Sequence, residues 1–224
     1  MTQLQYKLHI DSIIERVEKA RLSVSAHHIV KIVAVSKYST SDEIKALYEI
    51  GQRAFGENKV QDLEKKAEEL DALPLEWHFI GNLQKNKINH LIKANPFLFH
   101  SLDSLELALE LDKRLESNGV TMDALLQINS AYEESKSGVL PENATDTYNE
   151  ISSTCKHINL KGVMSIGAHS EDRKIIQKSF ETTHKIYKEL EGASICSMGM
   201  SGDFELAIKC GSNMVRLGSL MFNK

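Results

Sequence analysis

The sequence predicts an α/β fold, a single (β/α)8 TIM barrel with an additional N-terminal helix. Three observations carry that prediction. Short apolar runs alternate with segments of helical periodicity eight times along the 224 residues. No linker or compositional break divides them, so residues 1–224 read as one domain. The ends of the apolar runs carry polar residues and glycines, as the functional edge of a parallel sheet does. A doubly wound open sheet is the alternative that the same alternation allows.

Ile10, Ile13, Ile14 and Val17 recur at helical spacing and predict a helix over 5–23. Ile29 to Val35 is a branched apolar run, suited to a strand covered on both faces, and Ser36-Lys37 follows it. Thr40 and Glu43 stand in capping-box register for a helix through Ile44, Leu47 and Tyr48, stopped at Gly51. Residues 53–56 form a very short second strand that runs into Gly56-Glu57-Asn58. A helix over 59–70 is rich in Glu, Lys and Leu, and Pro74 separates it from a third strand, Leu75 to Gly81. Leu83 to Ala94 reads as helix, stopped by Pro96. Residues 97–101 are the fourth strand. Asp103 and Glu106 then predict a capping box for a helix that ends at Asn118-Gly119. Ala124 to Asn129 is the fifth strand, and a polar loop covers 130–141. Ile151 and Cys155 belong to the next helix, and Leu160 to Ile166 is the sixth strand. A helix over 171–190 repeats through Phe180, Thr183, Ile186 and Leu190. Ala193 to Met198 is the seventh strand, Phe204, Ala207 and Ile208 mark a helix ended by Gly211, and Asn213 to Leu217 is the eighth strand.

Composition narrows the class of function. The formal charge of -4 supplies no global basic field for nucleic acid or anionic lipid. Lys85, Lys87 and Lys93 read as one solvated helix face. Met1 to Gln5 lacks the apolar core of a signal peptide, and no apolar run approaches membrane-spanning length, so the expected location is the cytoplasm. The three cysteines have no metal-type spacing and read as free thiols, Cys155 and Cys210 on helices and Cys196 in a strand. Nine histidines occur without a His-Glu-x-x-His motif, so no metal site is expected.

The strand ends collect the chemistry. They hold Lys37, Glu57 and Asn58, His78 and Gly81, Ser101, Asn129, Gly167, the run Met198 to Asp203, and the run Arg216 to Ser219. The glycine-rich loops after strands seven and eight are where such barrels bind phosphate, and glycine lets backbone N–H groups approach the anion. Neither loop is a nucleotide P-loop, so the implied ligand is a small phosphorylated molecule. A lysine facing it can form an imine with an aldehyde. Pyridoxal 5′-phosphate (PLP) carries both groups; an aldolase acting on a sugar phosphate is the rival reading. Arg216 bears on the choice, because an arginine beside a pyridine nitrogen donates a hydrogen bond and takes up no proton.

Several motifs together are similar to one family. They are Val33-Ala34-Val35-Ser36-Lys37, Phe55-Gly56-Glu57-Asn58, Trp77-His78-Phe79-Ile80-Gly81, Ser101 with Asp103-Ser104, Ser197-Met198-Gly199-Met200-Ser201, and Val215-Arg216-Leu217-Gly218. Over nearly its whole length the chain resembles the pyridoxal-phosphate-binding homeostasis proteins (the YggS/PROSC family), related in fold to the barrel domain of bacterial alanine racemase. The resemblance implies that Lys37 forms the internal aldimine and that Arg216 faces the pyridine nitrogen. It implies that Ser201, Gly218 and Ser219 contact the phosphate, that Met198 lies near the ring, and that Asn58 and His78 belong to the pocket. The ending Asn223-Lys224 departs from the family's usual glycine and short basic tail.

The resemblance further implies intracellular PLP (vitamin B6) homeostasis, as a regulator or carrier with little catalysis and no assigned catalytic residue. PLP-dependent apoenzymes are the implied partners, and a monomer the implied state. The alternative is a PLP-dependent enzyme such as a weak amino-acid racemase. Racemisation needs an acid/base group on each face of the carbanion. Lys37 can serve one face; the other requires a base from within the barrel, with His78 the candidate, or from another subunit. Tyr38 is expected to point elsewhere by strand alternation, if the strand reaches it.

Overall fold

The computed structural model describes residues 3–222. Helix α1 (Gln3–Leu22) leads into β1 (Lys31–Val35), α2 (Ser41–Glu49), β2 (Ala54–Glu57), α3 (Val60–Glu69) and β3 (Glu76–Phe79). Helix α4 (Ile88–Ala94), β4 (Leu98–Leu102), α5 (Leu105–Asn118) and β5 (Met122–Ile128) follow, then α6 (Pro141–Thr154), β6 (Ile158–Ser165) and α7 (Arg173–Glu189). The chain finishes with β7 (Ile195–Ser197), α8 (Phe204–Lys209), β8 (Met214–Leu217) and α9 (Ser219–Phe222). All eight strands are parallel and close in sequence order, with β8 pairing back onto β1 through Lys31↔Met214 to Ala34↔Leu217. This is the predicted barrel with its leading helix, and closure excludes the open sheet.

Strand alternation divides the apolar residues into two sets. Ala34, Phe55, Trp77, Phe79, Phe99, Leu126, Val163, Cys196 and Val215 face outward and pack against the helices. Val33, Ala54, Leu98, Leu125, Met164 and Met214 face inward and fill part of the barrel. Ile10, Ile13, Val17 and Ala20 of α1 are buried, while Ile14, counted in the sequence as part of that face, is exposed. Helix α1 is tied to the end of the chain. The Tyr6 hydroxyl donates to Met221 O at 3.2 Å, and His9 Nε2 lies 2.6 Å from Leu220 O.

The Thr40–Glu43 capping box forms as the sequence predicts. The proposed Asp103–Glu106 box does not. Ser104 is the cap, accepting from Leu107 N–H at 3.2 Å, and the helix starts one residue later than that box requires. The segment expected as one helix over 83–94 opens with a 3-10 turn, Lys85–Lys87, before α4. That offset separates the three lysines: Lys85 pairs with Glu106 and Lys93 reaches Glu64 at 3.7 Å, so they share no single face. Cys155 and Cys210 sit at the C-caps of α6 and α8 rather than within them; all three cysteines are free. Helix α9 was not expected. Asn223-Lys224 lies outside the described residues.

Candidate functional site

At the C-terminal ends of the strands the barrel opens into a cavity of about 620 Å³. Lys37 reaches it from the loop after β1, Asn58 from the loop after β2, Ser201 from the loop after β7, and Arg216 from β8. Gly218 and Ser219 border it where β8 passes into α9. These six of the eight residues singled out in the sequence converge on one space. Val35, Ile80, Met200 and Phe222 supply apolar walls, and Tyr38 and Ser39 complete the rim.

Lys37 is exposed, with Nζ 5.0 Å from the centre of the Tyr38 ring. No salt bridge to a carboxylate engages it among the described residues. The loop behind it is held firmly. Ser36 Oγ donates to Glu57 Oε1 at 2.6 Å. Lys66 Nζ, from α3, donates to that same oxygen at 2.7 Å and to the Ser36 carbonyl at 2.7 Å. Glu57 is fully buried. A buried carboxylate needs such partners to remain charged. Thus two lysines divide the work: Lys66 neutralises Glu57 and anchors the peptide before Lys37, and the Lys37 amine stays uncommitted.

Two glycines are required by close approach. A Cβ on Gly81 would stand 1.9 Å from the Asn58 carbonyl oxygen, so the loops after β2 and β3 touch through bare backbone. Gly199 has φ +94°, and a Cβ there would sit 2.6 Å from Ala207 Cβ. Its conformation turns the chain after β7 back over the barrel. Met200 N–H then donates to Asp203 Oδ1 at 2.6 Å, and Ser201 Oγ accepts from Gly218 N–H at 3.3 Å and Leu220 N–H at 3.5 Å. The two glycine-rich loops are thereby joined at Ser201.

Arg216 is almost fully buried. It donates to Ser197 O at 2.9 Å, Ser197 Oγ at 2.7 Å and Ser165 O at 2.9 Å. Burial pulls its guanidinium down to about 10, against the attraction of Asp203, which leaves it charged at neutral pH. Burial also pushes the Asp203 carboxyl up.

Two expectations are corrected. Met198 does not line the cavity. Strand β7 turns Ile195 and Ser197 inward, so Met198 packs outward with the helix-facing core, and Met200 supplies the wall after the Gly199 turn. His78 likewise lies one inward position below the cavity. It is fully buried, with Nδ1 2.9 Å from His100 Nε2, while Ile80 takes the next inward place and reaches the cavity. Tyr38 lines the cavity because β1 ends at Val35, so alternation does not extend to it. Asn129 serves the polar loop instead, donating to Glu133 O at 2.9 Å and Lys136 O at 3.1 Å. Ile80 was legible from the alternation that placed His78; Phe222 was not, because it depends on α9.

Among the described residues no group of three or more His, Cys, Asp or Glu could hold a metal ion, and no helix is long and apolar enough to cross a membrane.

Residues 8–223 match the family described as alanine racemase, N-terminal domain. The pyridoxal phosphate homeostasis protein of Helicobacter pylori is 59% identical over 221 residues, spanning 99% of this chain and 100% of that protein. The chain belongs to the pyridoxal phosphate homeostasis protein family. Proteins of known structure share its barrel closely. A protein from Bifidobacterium adolescentis, described as unknown, superposes with a TM-score of 0.92 at 30% identity, over 98% of this chain and 95% of that one. PipY of Synechococcus elongatus, solved with PLP bound, superposes with a TM-score of 0.79 at 30% identity, over 93% and 98%.

Proposed function

We propose that this chain binds PLP in the cavity, with Lys37 as the covalent attachment point, and serves PLP homeostasis as a carrier or regulator. The observation that carries this reading is the pairing within one cavity of an uncommitted lysine amine and a buried arginine. When bound, PLP supplies an aldehyde, a pyridine ring and a phosphate. The residues present fit each. Lys37 offers Nζ to the aldehyde carbon. Arg216 offers N–H groups to the ring nitrogen and has no acceptor with which to take its proton. The Ser201 hydroxyl hydrogen, with the Ser219 N–H beside Gly218, offers donors to the phosphate. Asn58 would border the ring, and the apolar Ile80, Met200 and Phe222 walls would shield it from water. His78 and Met198 support the cavity from below and behind. Residues 1–224 act as one cofactor-binding unit, a monomer in the cytoplasm, with PLP-dependent apoenzymes as recipients.

Low turnover follows from the lining. Its titratable side chains are Lys37, Tyr38 and Arg216. His78, the base that racemisation would need, is buried beneath Ile80. Tyr38 is the remaining group that could face Lys37 across a substrate, so a weak racemase is the second reading.

The test is the absorbance spectrum of the purified protein with PLP, before and after borohydride reduction, followed by peptide mapping. A band of roughly 420 nm and a reduced adduct on Lys37 are expected. Lys37→Ala should lose both while keeping its fold, since the side chain is exposed. An adduct at another lysine, or no chromophore, would overturn the reading. Exchange of amino-acid α-protons with deuterated water should stay near that of free PLP; faster exchange that Tyr38→Phe abolishes would establish the racemase instead.

A further inference from the structure

The barrel interior below the cavity contains polar groups that the proposed binding of PLP does not use. His78 and His100 are fully buried, and their rings meet edge to face with centroids 5.1 Å apart. Ser197 Oγ stands 3.4 Å from His100 Nδ1. At the far side, His78 Nε2 has no hydrogen-bond partner and faces Glu76 Oε2 at 4.0 Å. Two fully buried histidines cost more than phenylalanine or leucine unless their nitrogens have work to do.

We propose that His100 and His78 are positioning residues, which with Ser197 form a one-way hydrogen-bonded column through the barrel that orients the Arg216 guanidinium. Donor chemistry at both ends sets the direction, because the Glu76 carboxylate facing His78 Nε2 can only accept. Arg216 can only donate, so Ser197 Oγ accepts from it and keeps its own hydrogen free. Worked back from Glu76, His100 Nδ1 is the unprotonated nitrogen of its ring and takes that hydrogen. His100 carries its proton on Nε2 and donates to His78 Nδ1 at 2.9 Å. His78 in turn carries its proton on Nε2, aimed at the Glu76 carboxylate. Both rings are therefore neutral Nε2–H tautomers. Every donor points away from the cavity, and the column ends on the Glu76–Lys31 pair, with Phe97 alongside.

The charged groups around the column favour neutral rings. Burial holds His100 well below the ordinary histidine range, reinforced by His78, Arg216 and Lys31. Burial lowers His78 too, with Lys31 in the same sense and Glu76 opposing. Neutral rings leave Arg216 as the nearest cation to the cavity floor. The arrangement fixes Ser197 Oγ as an acceptor for the guanidinium rather than a competing donor, which sets the plane in which Arg216 meets a ligand.

The link to a ligand rests on the proposed PLP reading; the column itself does not, and the two are tested separately. Long-range proton–nitrogen correlation on full-length protein labelled with 15N-histidine, without PLP, should show Nε2–H tautomers for both rings near neutral pH. An Nδ1–H tautomer or an imidazolium at either ring overturns the column. His100→Leu and Ser197→Ala each remove the link to Arg216, the second without touching a ring. Each should weaken PLP binding about tenfold and shift the band of the bound cofactor, while borohydride still labels Lys37. Wild-type affinity and an unshifted band in Ser197→Ala would overturn the positioning role. If wild-type protein takes up no PLP, the binding reading fails, and the tautomers alone decide the column.

Discussion

One part of the barrel interior is filled by apolar side chains; another, running from the Lys31–Glu76 pair through His78 and His100 to the cavity, is filled by polar groups. Ala54, Leu98 and Met214 each open a strand and meet Val33, Leu125 and Met164 in one inward-facing cluster. In the polar part Ser197 and Arg216, then Lys37, Ser201 and Gly218, lead out to the cavity. Dispersion and burial are non-directional, so an apolar layer tolerates a change of shape at a graded cost. Hydrogen bonds are directional, and losing one partner leaves the other desolvated. The apolar part therefore supplies stability, and the polar part supplies geometry. Substitutions should separate the two.

The largest effect is expected at Lys66. Lys66→Met leaves the buried Glu57 carboxylate with Ser36 alone, and should cost about 4 kcal/mol. Urea unfolding would measure that loss. The same variant should label poorly with PLP at Lys37 even while folded, because the Ser36 carbonyl loses its anchor. Leu125→Ala, in the apolar cluster, should cost about 3 kcal/mol by the same measurement, yet label at the wild-type level below its unfolding temperature. Equal loss of labelling in the two folded variants would break the comparison.

Two smaller effects sharpen it. Thr40→Ala removes the capping box beside the Lys37 loop and should cost about 1 kcal/mol, seen as a lowered urea midpoint. Glu76 tests the far end of the polar interior. The His78 ring and the Lys31 ammonium hold its carboxyl down from 4.5 to about 2. A carboxyl depressed by folding stabilises above its unfolded pKa, and that contribution is lost as pH falls through the folded value. Glu76 is about one-third exposed, so solvent screening keeps the contribution below about 1 kcal/mol. Wild type should lose that much more stability than Glu76→Gln as the pH falls from about 5 toward about 2; parallel pH profiles of the urea midpoint would remove Glu76 from the account.

Much of this was legible along the chain. The Thr40–Glu43 box, the short second strand before Glu57 and the stop at Gly119 are short-range events, decided by backbone dihedrals and neighbours within one turn. Strand ends follow from the same signals. A closed parallel barrel gathers those ends at one rim, so Lys37, Asn58, Ser201, Arg216, Gly218 and Ser219 meet. Ser104 displaced Asp103 as a cap because two adjacent residues offered equivalent side-chain oxygens, and only the backbone at the turn chose between them.

By itself, then, the sequence determined the order of strands and helices, the rim at which chemistry collects, and the lysine and arginine that line the cavity there. Only the tertiary structure decided which side chains reach the cavity and what stands behind them. Met200 replaces Met198 through the Gly199 turn. Ile80 overlies His78. Glu57 and Lys66 sit on different elements, as do His78, His100, Ser197 and Arg216, and their partnerships exist only once the strands are in register. The reason is the range of the forces: alternation and capping act within a few residues, whereas buried hydrogen bonds join groups that closure of the barrel brings together from distant parts of the chain.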